Sequence, residues 1–145
     1  MRTPPDTSCK VDILLPGVMG LPALPTSMIT QRSSLPLVPF PFLLLHKLQG
    51  WTDHRAATEA RYRAKVGVDG RDLEWCVSPR TVKEDLLKYV INKNNGTRKE
   101  RWKEMWSDRR MFSEEFEKVS KVRAEEFCQV YTGLRGAWRA IGFDV

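Results

Sequence analysis

The feature that most constrains this chain is the stretch Pro39 to Arg55, P-F-P-F-L-L-L-H-K-L-Q-G-W-T-D-H-R, the most apolar continuous segment and the one carrying both histidines. Pro39 and Pro41 suit the first turn of a helix, where an N–H has no intrahelical acceptor. Phe40, Leu44, Leu48 and Trp51 then follow at helical spacing, and Phe42, Leu43 and Leu45 fill other sides. The early turns are therefore expected to be buried nearly all round, with His46, Gln49 and Asp53 as the polar edge. Gly50 weakens the helix near its end.

The chain on either side differs in character. Cys9 to Leu15, C-K-V-D-I-L-L, alternates as a strand should, and Pro16-Gly17 ends it. Met28 to Gln31 and Leu35 to Val38 are expected as a short strand pair about Arg32-Ser33-Ser34, with Pro36 confining the second to an edge or its first residue. From Asp53 to Lys65 the sequence is strongly charged and helix-prone. Val66-Gly67-Val68 is expected to break it, and Asp69 to Val77 to form a short helix.

Ser78 and Pro79 read as the N-cap and first residue of a helix to about Asn92. A further helix is expected from Thr97 or Arg98 to about Arg110, with Trp102, Met105 and Trp106 as its apolar strip. Ser113 caps a long helix with Phe116, Val119, Val122, Phe127 and Val130 as its stripe. Thr132-Gly133 interrupts it before a final turn or short helix carrying Trp138, Ile141 and Phe143. The fold class expected is α+β: a small mixed sheet of two or three short strands, then a helical C-terminal half.

A chain of 145 residues fits one domain or part of one. Its net charge of +6 is concentrated in residues 46–145, which carry +5, but spread among acids; it reads as a solvated helical surface, with an anionic partner as the alternative. Cys9, Cys76 and Cys128 are odd in number and far apart, which supports neither a disulfide frame nor a zinc site. With no apolar leader at the N-terminus, an intracellular location, cytoplasmic or nuclear, is expected. Leu35 to Leu45 is too short to span a bilayer, so no membrane partner is expected. An uncovered apolar face at residues 35–48 would favour self-association.

Several residue types suit chemistry, and each has a plainer reading. Asp12 lies mid-strand between aliphatics, as a magnesium ligand or as part of a solvated strand face. Lys47 is a point charge for phosphate or a lysine snorkelling from the helix edge. Asp69 and Asp72 are an acidic pair for metal or a hydroxyl proton, or else N-cap and N3 residues of their helix. His46 and His54, eight apart, lack helical metal-pair spacing and are expected to be solvated or satisfied by a partner. Arg98, Lys99, Arg101, Trp102 and Trp106 interleave bases with aromatics, which fits nucleic-acid binding, though Trp102, Met105 and Trp106 equally fit a helix docked on a core.

In combination, K-V-D-I-L, a hairpin, L-L-L-H-K-L-Q-G-W-T-D-H-R and D-G-R-D-L resemble the later part of the nucleotidyltransferase superfamily. The nearest branch is the AbiEii-type nucleotidyltransferase-like proteins, and within it uncharacterised fungal members. Residues 9–77 carry the superfamily resemblance; F-S-E-E-F to W-R-A-I-G-F-D-V resembles the fungal set alone. The division implied is a partial nucleotidyltransferase-like domain over 1–77, with a helical region, 78–145, packed on it.

The resemblance implies that Asp12 binds magnesium, that Lys47 contacts a nucleotide's triphosphate, and that Asp72, with Asp69 beside it, supports the acceptor or the metal. Val68 departs from the pattern, where a basic residue is usual. The superfamily's Gly-Gly or Gly-Ser and its D-x-D are also absent from this sequence, and eleven residues precede Asp12. The expectation is a truncated or decayed member, inactive in nucleotidyl transfer as it stands. Restored, it would carry out magnesium-dependent nucleotidyl transfer to an unknown acceptor. The alternative is a non-enzymatic basic helical module binding nucleic acid or a protein.

Overall fold

The computed structural model describes residues 24–81 and 103–145. The expected strand at 9–15, with Asp12, lies outside those residues, as does most of the helix expected after Ser78. The described chain is mostly helical. Its helices are α1 (Phe40–Ala56), α2 (Ala60–Arg63), α3 (Val66–Val77), α4 (Glu114–Val130) and α5 (Arg135–Ala140). Helical residues also stand at 79–81 and 103–106.

The strands β1 (Thr30–Arg32) and β2 (Leu35–Leu37) form an antiparallel hairpin with Arg32 opposite Leu35. The two-residue connection, Ser33 and Ser34, has φ of 49° and 66°, the sign a type I′ hairpin turn needs at both positions. With the closing pair exchanging both bonds, Pro36 falls opposite Gln31 at the non-hydrogen-bonded position, where its lack of an N–H costs the ladder nothing. Among the described residues the sheet is this antiparallel pair and not a mixed sheet.

Helix α1 is central. Pro39 precedes it and Pro41 sits in its first turn. Phe40, Phe42, Leu44, Leu45, Leu48 and Trp51 are all buried, while Leu43 remains 40% exposed. Gly50 does not end the helix, which continues to Ala56. Phe42 and His46 face Phe112 and Phe116, whereas Trp51 meets Phe127 and Tyr131, so α4 runs parallel to α1. The core continues through aromatic rings: Phe127 on Trp138, Trp138 on Phe143, and Phe143 on Trp106. Residues on both sides of position 77 share this single core.

The caps explain where several elements begin and end. Ser113 accepts the Phe116 N–H at 3.1 Å, with Glu114, Glu115 and Glu117 at the positive end of α4. Ser78 accepts the Thr81 N–H at 3.4 Å, as its N-cap reading requires. After α5, Gly142 adopts φ +96°, and the amides of Gly142 and Phe143 bond back to Arg139 and Trp138. That paired closure needs a left-handed residue, and it turns Phe143 back into the core.

Three local expectations require correction. Val66-Gly67-Val68 is the first turn of α3 rather than a break: Val68 and Asp69 donate their amides to the Lys65 carbonyl, at 2.9 and 3.0 Å. Helical conformation before Ser107 stops at Trp106, not Arg110. The inner face of α4 is Ser120, Ala124, Phe127 and Cys128, while Val119, Val122 and Val130 are exposed. The valines share a helical period with Phe116, but it is the smaller side chains that allow close approach to α1.

Candidate functional site

Four of the side chains singled out for chemistry, Lys47, His54, Asp69 and Asp72, meet where α1 packs on α3. Seven residues separate Lys47 from His54, two turns along one side of α1. Three separate Asp69 from Asp72, one turn on α3. Because the two helices run antiparallel, the pairs interlock. Lys47 Nζ donates to Asp72 Oδ2 at 2.6 Å, and His54 Nδ1 lies 2.6 Å from Asp69 Oδ2.

The two pairs differ in exposure. Lys47 and Asp72 side chains are 38% and 43% exposed, so the contact is solvated and open to a competing anion. His54 and Asp69 are more enclosed, at 23% and 15%. The His54 ring also stacks nearly parallel on Tyr62, 9° between planes with centroids 5.8 Å apart. Arg61 and Lys65 lie over the same tyrosine ring.

The capping reading of the aspartates does not hold. Lys65 precedes the first residue of α3, placing Asp69 and Asp72 in the fourth and seventh helical positions. They bond side chains of α1 instead of their own helix's amides. Close helix packing here depends on Gly70, because a Cβ at that position would lie 2.0 Å from the Tyr131 hydroxyl oxygen.

Next to the Lys47–Asp72 pair lies Cys76, buried at 4% exposure. Burial pushes its thiol up to about 11, against the pull of nearby Lys47 and with the help of Asp72. It is a protonated core side chain and not a nucleophile. Burial likewise raises Cys128.

The basic and aromatic set is only partly described. Arg98, Lys99, Arg101 and Trp102 lie outside the described residues. Trp106 is a correction: it is 4% exposed and donates its indole N–H to the Ile141 carbonyl at 2.6 Å, so it cannot serve as a base-stacking platform. The residue that sequence reasoning left without a role is His54. Its signal was present in the complementary spacing, a basic pair seven apart on α1 and an acidic pair on the following helix.

The described residues do not by themselves fit a magnesium ion. Asp72 is bonded to an ammonium and Asp69 to an imidazole, and no group of three His, Cys, Asp or Glu with metal-holding geometry occurs among the described residues. No described helix is long and apolar enough to cross a membrane. Comparison with protein-family models, with curated proteins and with solved structures finds no match to this chain.

Proposed function

We propose that this chain is a nucleotidyltransferase-like protein that binds the phosphates of a nucleotide at Lys47 and does not itself transfer the nucleotidyl group. The observation that carries the reading is the 2.6 Å contact between Lys47 and Asp72. The resemblance selects these two positions, 25 residues apart in sequence, for one site. Lys47 is a half-exposed ammonium on a helix anchored by buried neighbours, which suits a point-charge contact to phosphate. Asp72 holds that charge at the seam until an anion takes its place. The roles of Asp72 toward an acceptor and of Asp12 toward magnesium belong to the same proposal. Without a D-x-D pair, the sequence has no second metal-binding carboxylate set for in-line transfer.

The test is calorimetric titration of the chain with ATP, with and without magnesium, beside incubation with α-labelled nucleotides. Binding is expected in the wild type and about tenfold weaker in Lys47→Ala, the loss of one charge-assisted contact. No label should move to any acceptor. Equal affinity in wild type and Lys47→Ala would refute the assignment. Folding is not a confounder, since an exposed pair of this kind contributes only about 0.2–1 kcal/mol.

A further inference from the structure

The contact between His54 and Asp69 does more than close the seam. A carboxylate oxygen only accepts hydrogen bonds, so at 2.6 Å the His54 Nδ1 must be the donor. In the neutral ring this leaves the lone pair on Nε2. The same logic fixes the tautomer of histidines that act as proton acceptors, where an enclosed carboxylate holds Nδ1–H. Here Asp69 fixes one edge of the ring and Tyr62 covers a face, so rotation about the side-chain bonds is restricted. His54 nevertheless keeps 23% of its side chain exposed.

The surroundings separate this histidine from the other one. His46 lies between Phe42 and Phe116, with its Nε2 buried. Along α1, His54 stands two turns from Lys47, about 10 Å at the rise of a helix. A phosphorylated nucleoside can bridge that span, with its phosphate at the ammonium and a hydroxyl at the imidazole.

We propose that His54, oriented by Asp69, presents the Nε2 lone pair of its neutral ring as the hydrogen-bond acceptor for a hydroxyl group of a ligand docked on the α1–α3 seam. The hydroxyl donates its hydrogen bond to Nε2 and keeps its proton, so no covalent bond is made or broken. The placement of the ligand's phosphate rests on the reading of Lys47 given above; the state of the His54 ring does not.

The experiment uses the full chain, with histidine nitrogen NMR and modification by diethyl pyrocarbonate, first alone and then with adenosine 5′-monophosphate. Neutral His54 is expected as the Nδ1–H tautomer and to be acylated at least tenfold faster than His46. Asp69→Ala should abolish the single tautomer, with Asp69→Asn as the variant of closest shape. Protection by the nucleotide should be stronger than by its 3′- or 2′-deoxy form. An Nε2–H tautomer, or acylation of His54 as slow as that of His46, would overturn the inference while leaving phosphate binding at Lys47 intact. The expected tautomer and reactivity without any nucleotide binding would refute the docked hydroxyl together with the reading of Lys47, and equal protection by the nucleotide and its deoxy forms would overturn the inference alone.

Discussion

His46 and His54 share one helix and differ in what surrounds them. Burial between aromatic rings lowers the His46 pKa to about 4, opposed by a hydrogen bond with Gln49 and reinforced by the charge of Arg123. An unfolded chain takes up the proton near 6.5, its ordinary value, before the folded chain does. The unfolded state thus binds more protons between about 4 and 6.5, so stability falls as pH drops through that window and is unaffected by this group above it. Asp108 is lowered by its bond from Arg110, and Glu117 is lowered by Lys121 and Arg109 despite the opposing effect of burial. Both carboxyls begin from 4.5 or below, so their stabilisation is lost at lower pH. Urea denaturation at pH 7.5 and pH 5.0 should show lower stability at pH 5.0 in the wild type. His46→Phe should have a smaller difference between the two pH values. An unchanged difference would mean that His46 does not account for the slope.

At the scale of elements, the hairpin and α3 show how local chemistry and packing divide the decisions. Ser33 and Ser34 both occupy the left-handed region, where an L side chain costs about 1–2 kcal/mol per residue. Glycine removes that steric cost, at some loss of chain entropy in the unfolded state. Ser34→Gly is therefore expected to strengthen the hairpin by about 0.5–1 kcal/mol. Amide exchange at Leu35 and Leu37 should slow by roughly threefold to fivefold. Faster exchange would show that the serine side chain contributes more to the turn than its backbone strain costs. In α3, by contrast, the aspartates suggested a start at residue 69, but the turn through Lys65 begins the helix earlier. The register against α1 then settles which carboxylate meets Lys47 and which meets His54.

At the scale of the molecule, stability concentrates in one aromatic and aliphatic core that draws on α1, α3, α4 and the C-terminal turn. Trp51 has no exposed surface and contacts both Phe127 and Tyr131. Trp51→Ala should cost about 3–5 kcal/mol, a large part of the roughly 5–15 kcal/mol typical of a folded domain. Chemical denaturation followed by far-ultraviolet circular dichroism measures it. A loss below 1 kcal/mol would mean that α1 is not the central support described here.

Much of α1 was determined by sequence alone. Its prolines suit only the start of a helix, and its apolar residues repeat at the helical period, so the element and most of its buried side chains follow directly. The caps at Ser78 and Ser113 were legible for the same reason: each depends on near neighbours in the chain. Tertiary structure decided what depends on distant partners. Valines on α4 were exposed while Ser120 and Ala124 were enclosed, because close approach favours small side chains over the most apolar ones. Lys47 and Asp72 were each recognisable as candidates, but only the antiparallel register of α1 and α3 brought them together. The same register gave His54 its carboxylate, a relation between side chains fifteen residues apart that no local pattern specifies.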